Sequence, residues 1–268
     1  MTTFAQLARE YVNNGEGQWR SGINAKISLY WIGIFGECPI DEVTVKKIDR
    51  WRVSQQEKMR SLPSTINRKL AVIKHMFRKA IEWEIIEKNP LEYLRLLHVT
   101  THRLRYLSAE EEGVLTRALD SGIVEKWLRD IVIVALDTGM RQGEMIQTLT
   151  RSCIDSRNDM IVLYQPKTQR SKMIPMTNRV KEILKNEISF KNVVPRSINR
   201  YFNRLIGSCD IENFRFHDLR HTFASKLAIK GVPIYVISEL LGHTNIQMTM
   251  RYAHLSPKAK REAIECLG

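Results

Sequence analysis

Between Pro63 and Pro90 the chain carries Ile66, Leu70, Ile73, Phe77 and Ile81 at steps of three and four residues. Only an α-helix brings such a set onto one side, and the stripe must then be covered by other elements. Proline suits the first turn of a helix, whereas Pro90, in KNPL, forbids its continuation. Three further helices can supply the cover. Phe4, Leu7, Ala8 and Tyr11 recur at helical spacing, and segments of about Ala25–Ile34 and Val43–Met59 read as two more. Residues 1–97 are therefore expected to form a helical bundle. The opposite side of the Pro63 helix presents Arg68, Lys69, Lys74, Arg78 and Lys79, either a solvated face or a surface for a polyanion.

Residues 98–106, HVTTHRLRY, lack apolar periodicity and read as a linker. Ser108 and Glu111 then have the spacing of a capping box, opening a second domain over 107–268. A long apolar helix is expected from about Val124 to Leu136. Residues 153–177 read as short strands joined by polar turns, one ending near Tyr164 and the next around Met173–Met176. The remainder is helical: Val232-Pro233 opens a helix that Gly242 closes, and Thr244-x-x-Gln247 has the spacing of another capping box. The expected fold is mainly α with one small antiparallel β-sheet in the second domain.

Charge narrows the partner. Lys and Arg number 42 against 29 Asp and Glu, a net of +13. The excess is spread, +5 over residues 1–97 and +8 over 98–268, so it is no detachable tail. A polyanion touching both halves is the natural partner, and nucleic acid is the commonest. There is no apolar run near the ~18 residues that span a bilayer, and MTTFAQLAREYV lacks the features of a secretory signal. Cys38, Cys153, Cys209 and Cys266 lie far apart without metal-site spacing, as expected of reduced thiols in the cytoplasm.

Tyr252, in LGHTNIQMTMRYAHL, raises the chemical question. A phenol has a pKa near ~10, so as a nucleophile it needs cationic company. His217 and Arg220, in NFRFHDLRHTFAS, share a helix face at a spacing of three. Arg141 follows the apolar helix that stops at Thr138-Gly139, with Glu144 placed to steady its guanidinium. Helix N-terminal amides there would add to an anion site, although Arg141 could equally cap and pair on a surface. Lys167 sits in the turn of QPKTQRSKMIPM, with Arg170 and Lys172 close by. H-D-L-R-H also has the spacing of a zinc-hydrolase helix, but Asp218 stands where a glutamate is needed and a third ligand must come from elsewhere.

Taken in order, Arg141 in T-G-M-R-x-G-E, Lys167 in a β-turn, H-x-x-R-H at 217–221, L-G-H at 241–243 and Tyr252 nine residues later resemble the tyrosine recombinase, or phage integrase, family. Each motif alone is weak; their joint order and spacing is specific. The resemblance covers residues 105–268 and extends more faintly to the first half, which looks like the family's core-site DNA-binding domain. It implies a helical bundle and an α/β catalytic domain of the tyrosine recombinase type, together clamping double-stranded DNA. It further implies that Tyr252 attacks a phosphodiester, leaving a 3′-phosphotyrosyl link and a free 5′-hydroxyl. Arg141 and Arg220 would hold the non-bridging oxygens. His217 would accept or orient the tyrosine proton, and His243 would donate a hydrogen bond to the phosphate. Lys167 would be the general acid, with Lys172 the alternative. Glu144 and Asp218 would support them from behind. His221 is near the site without an assigned task.

The same resemblance implies no metal or cofactor, a tetramer on DNA, and a phage or mobile-element setting. A final helix over 256–266, opened by Ser256-Pro257, would dock on its own domain or on a neighbouring protomer. The core-binding helices begin near Thr3, so no arm-binding domain is expected within the chain. Two other readings stay open: a type IB-like topoisomerase of the same chemistry, and a non-enzymatic regulator using residues 232–252 as a helix-turn-helix.

Overall fold

Thr3 and Gln6 close a reciprocal cap on α1 (Phe4–Asn13), satisfying backbone donors that the first helical turn leaves unpaired. The computed structural model describes residues 2–15, 22–57, 61–99, 104–165, 170–185, 188–191, 193–256 and 265. It divides into two units, Met1–Thr101 and His102–Gly268. In the first unit α2 (Ile23–Phe35), α3 (Val45–Glu57) and α4 (Pro63–Glu82) complete a bundle. Phe4, Leu7, Trp31, Ile48, Ile66, Leu70, Ile73 and Phe77 form its buried centre. In the last turn of α4 it is Ala80, not Ile81, that is buried. The run 66, 70, 73, 77, 80 keeps the 3.5-residue step of a packed seam, and a bulkier Ile81 falls to its side.

The basic residues of α4 do more than face outward. Lys69 Nζ lies 3.7 Å from the centre of the Tyr30 ring, while the Lys69 carbonyl accepts from Trp31 Nε1 at 3.1 Å. Lys74 donates to the Leu94 carbonyl at 2.6 Å. Arg78 and Lys79 both reach Glu82, at 3.6 and 2.7 Å, and Arg68 is exposed. Much of this charge thus staples the bundle as well as decorating it.

The second unit opens with α5 (Ala109–Asp120), capped by the Ser108–Glu111 box. Arg105 grips Glu111 with both guanidinium nitrogens, at 2.9 and 2.5 Å. Helix α6 (Lys126–Thr138) is apolar on nearly all sides and sits in the middle of the core, with α9 (Asp218–Ile229) packed along it. Between them come β1 (Ile154–Asp155), β2 (Met160–Gln165), β3 (Arg170–Pro175), α7 (Asn178–Lys185) and α8 (Pro195–Ser208). The three strands form an antiparallel sheet in the order β1-β2-β3, with Leu163 opposite Lys172 and Ile161 opposite Ile174. The pleat therefore turns Lys172 inward alongside Ile174, and both are buried.

Helices α10 (Ile234–Leu241) and α11 (Gln247–Met250) follow, with Gly242 ending α10 in the left-handed region at φ 67°. The Thr244–Gln247 box does not form. Asn245 Oδ1 accepts from the Gln247 amide at 2.9 Å instead, because the two-residue Asx turn is the shorter route to the same donor. The helix expected over 256–266 lies outside the described residues apart from its ends. No described helix is long and apolar enough to cross a membrane, and Cys38, Cys153 and Cys209 carry free thiols.

Gly139, which ends α6 at φ 61°, has no room for a side chain: a Cβ there would overlap Phe223 Cδ1 and stand 3.0 Å from Leu241 Cδ2. Gly139→Ala is expected to cost about 2–4 kcal/mol, from left-handed backbone strain plus overpacking. Thermal unfolding of the second unit should show it as a fall in Tm of roughly 5–15 °C.

Candidate active site

Two helices end pointing at one guanidinium. The C-terminal carbonyls of a helix have no intrahelical donors and carry the negative end of its dipole. Gly139 ends α6 and Leu241 is the last residue of α10, and their carbonyls accept from Arg220 Nη1 and Nη2 at 2.6 and 2.8 Å. Arg220 rises from the first turn of α9 and is 4% exposed. Burial, then Arg141, push its pKa down to about 10, so it remains charged at neutral pH.

Arg141 stands just past Gly139, where the chain re-enters a helical turn whose i→i+5 hydrogen bond runs from the Leu149 amide to the Glu144 carbonyl. That turn places Glu144 against three donors. Its Oε1 accepts from Arg141 Nη1 at 2.8 Å, and its Oε2 accepts from the Arg141 amide at 3.0 Å and Lys172 Nζ at 3.1 Å. Burial alone would raise the Glu144 carboxyl, but Lys172 and Arg141 outweigh it and hold it below the usual range. Burial, opposed by Glu144 and aided by Arg220 and Arg141, brings Lys172 down to about 8.

Three imidazoles surround these cations, and all are pushed toward neutrality. Burial lowers His217 first, with Arg220 adding to it. Burial and the neighbouring His217 take His221 to about 4, and burial with Arg220 and Arg141 takes His243 to about 3. His243 shares a 2.7 Å hydrogen bond with Thr249 across the α10–α11 turn. Asp218 turns back to accept from the Arg215 amide at 2.8 Å, fixing the loop that leads into α9.

Tyr252 comes after α11 and is 1% exposed, set against Ala224, Ala228, Ile237 and Leu241. Its hydroxyl hydrogen-bonds His221 Nδ1 at 2.5 Å. Burial raises the phenol, while Arg251 and Arg220 oppose that shift. Arg141, His217, Arg220, His221, His243, Gln247, Met248, Arg251 and Tyr252 line one cavity of about 420 Å³. Segments separated by more than a hundred residues thus meet around a space the size of a phosphate and its flanking atoms, walled by positive charge and neutral donors.

Residues 105–259 match the sequence model described as the phage integrase family. The chain belongs to the phage integrase family. It is 31% identical over 207 residues to the integrase of Escherichia phage P2, covering 75% of this chain and 58% of that protein. With the integrase of Salmonella phage P22 it shares 30% identity over 213 residues, 70% of this chain and 53% of the relative. The chain thus spans a little over half the length of these curated relatives. A Tn1549 transposon integrase solved with circular intermediate DNA has the same fold, at TM-score 0.79 and 24% identity over the full length of both chains. A lambda integrase dimer on a core site gives TM-score 0.74 at 20% identity, over 92% of this chain and 97% of that one.

Of the expected site residues, Arg141, His217, Arg220, His243 and Tyr252 meet at this one cavity, with Glu144 and Asp218 behind them. Lys167 lies outside the described residues. The phenol's hydrogen-bond partner is His221 and not His217, whose ring stands edge-on to His221 at 5.2 Å. The α4 cations belong to the other unit. Lys172, His221, Arg251, Gln247 and Met248 had no expected task, except Lys172 as the alternative acid. The period of two in K-M-I, which turns Lys172 the same way as Ile174, is the signal that finds it. Among the described residues no three His, Cys, Asp or Glu side chains converge on a metal, so the zinc spacing of H-D-L-R-H lacks its third ligand.

Because the depressed histidines stay neutral in the fold and gain protons when unfolded, acid should unfold the second unit. The stability they confer is present above the unfolded pKa near 6.5 and is lost as pH falls toward the folded values. At pH 5, His221 and His243 should each have lost about 2 kcal/mol. Urea unfolding at pH 7 and pH 5 measures this, and a His243→Gln chain should lose less between the two.

Proposed function

We propose that this chain is a site-specific DNA recombinase or integrase that breaks and rejoins strands through a covalent 3′-phosphotyrosyl link, acting on double-stranded DNA in the cytoplasm. The observation that carries it is the meeting of Arg141, Arg220, His217, His243 and Tyr252 on one cavity. A phosphodiester repels nucleophiles and gains charge in its pentacoordinate transition state. Arg141 and Arg220 meet that charge with fixed guanidinium planes, and His243 adds a donor. Tyr252 attacks phosphorus, the 5′-oxygen leaves with a proton, and the aryl ester keeps the bond energy so that another 5′-hydroxyl can reverse the step. Neither ATP nor a metal takes part.

Lys167, between β2 and β3 in the sequence, is the general acid in this reading. Lys172 acts through Glu144 to hold Arg141 in place. The Arg68 and Arg78 side of the bundle contacts the backbone of the duplex, and binding falls steeply with salt as counterions are released. The assembly is a tetramer on DNA, with the tail after Ser256 docked on its own domain or on a neighbouring protomer. A helix-turn-helix regulator is disfavoured because α11 has four residues, too short for a recognition helix. A type IB-like topoisomerase shares the chemistry, and supercoiled plasmid without a recombination site separates it: a topoisomerase relaxes it, a site-specific recombinase leaves it.

Sequencing the DNA strand recovered covalently bound to the protein gives target, polarity and nucleophile together. Tyr252→Phe should bind that duplex with unchanged affinity and form no covalent adduct on a nicked version; an adduct from this variant refutes the assignment. On the same duplex Lys167→Ala should cut at least ~100-fold more slowly. Replacing the bridging 5′-oxygen by sulfur, which departs without a proton, should restore it. Lys172→Met should be slow on both, since its effect reaches the phosphate through Arg141.

A further inference from the structure

Tyrosine must shed its proton as it attacks, and the group that takes it has to touch the hydroxyl. His221 does so. Its Nδ1 lies 2.5 Å from Tyr252 Oη, and the two rings are 5.9 Å apart at 49°. Neither partner is free to wander: His221 is 9% exposed on α9, and Tyr252 is 1% exposed, its amide bonded to the Thr249 carbonyl at 2.9 Å. Both residues also line the cavity that holds Arg141 and Arg220, so the hydroxyl borders the space a phosphate would fill.

We propose that His221 is a catalytic residue that holds the Tyr252 phenol and receives its proton during strand cleavage; this rests on the strand-transfer reading above. In the resting site the imidazole is neutral, with its own proton on Nε2 and its Nδ1 lone pair accepting from the phenol. As the Oη–phosphorus bond forms, the phenolic proton passes to Nδ1 and the ring becomes imidazolium. The bond from phosphorus to the 5′-oxygen breaks, and that oxygen takes its proton from the separate acid. In rejoining, the incoming 5′-hydroxyl returns its proton to that acid's conjugate base, and the imidazolium reprotonates the departing phenol.

The surroundings explain why the base is idle without DNA. Charged and titratable groups that act on it are His217, Asp218 and Arg220 of its own helix and Arg251 of the segment before the nucleophile. Burial and the cations among them keep it near 4, and only Asp218 pulls the other way. An anionic phosphodiester between the arginines offsets those cations and raises the imidazole's basicity at the moment of attack. The His217 ring stands edge-on to His221, with ring centroids 5.2 Å apart.

The test uses the full chain on a nicked duplex of the sequence recovered from its own covalent adduct. His221→Gln, which keeps a polar side chain without basicity, and His221→Ala should both bind this DNA as the parent does. Each should form adduct at least ~100-fold more slowly in single turnover, with the loss in the maximal rate and not in the half-saturating concentration. The deficit should persist on the sulfur-bridged substrate, and the acid limb of the parent's rate–pH profile should vanish. In the DNA-free chain with 15N-labelled histidine, nuclear magnetic resonance should show His221 as the Nε2–H form with a hydrogen-bonded Nδ1. Adduct formation by His221→Gln within threefold of the parent, or faster as expected of a resting lock, would overturn the proposal. So would rescue by sulfur, which assigns the residue to the leaving group. If the parent chain itself forms no adduct, the strand-transfer reading fails, and the resonance measurement still decides whether the imidazole holds the phenol.

Discussion

The site depends on a buried guanidinium held by the ends of two helices. Arg220 can stay charged at 4% exposure because Gly139 and Leu241 turn their carbonyls onto it. Each carbonyl lies at a helix C-terminus, where it is otherwise unpaired and where the dipole favours a cation. That arrangement requires α6 to stop at Gly139, and Gly139 packs so closely on Phe223 and Leu241 that the three segments cannot shift independently. Arg141 is two residues beyond Gly139, and His243 is two beyond Leu241. One hydrogen-bonded charge therefore sets the position of both the other guanidinium and the imidazole.

The consequence is a cavity with too much positive charge for its own comfort. Arg141, Arg220 and Lys172 approach one another with Glu144 as the carboxylate that binds two of them. Five bases around the space respond in the same direction: Lys172, Arg220, His217, His221 and His243 all lose basicity. Burial is the first cause in each, and the neighbouring cations add to it. A phosphate placed among these groups would relieve their mutual repulsion, and without an anion there burial and the neighbouring cations favour neutral histidines.

The sequence showed the parts of this that depend on local chemistry. The α4 stripe as far as Phe77, the Ser108–Glu111 cap and the glycine that ends α10 are each decided within a few residues, and they stand where periodicity and capping rules put them. The order of Arg141, the H-x-x-R-H run, L-G-H and Tyr252 likewise carried the family. What escaped was tertiary. Thr244 lost its capping role to Asn245 because two turn geometries compete for one amide. Lys69 and Lys74 were read as surface charge, yet the Tyr30 ring and the Leu94 carbonyl claim them. Which of two histidines one helical turn apart meets the phenol depends on how the segment after α11 lies across α9, and no spacing within H-D-L-R-H encodes that.

The placement of Tyr252 explains a division of labour in the chain. The arginines and histidines stand on or beside long, well-packed helices, where their geometry is set by the core. The tyrosine instead follows a four-residue helix and precedes a short turn at Ala253–Leu255. On the proposed chemistry, the cations have to be in place before the anion binds, whereas a tyrosine that became bonded to DNA would have to travel with it and later be released. Short turns join Tyr252 to the chain on either side, while its ring packs against Ala224 and Ala228 of α9 and Ile237 and Leu241 of α10. The contact with His221 adds the direction of the hydroxyl to what that packing already fixes.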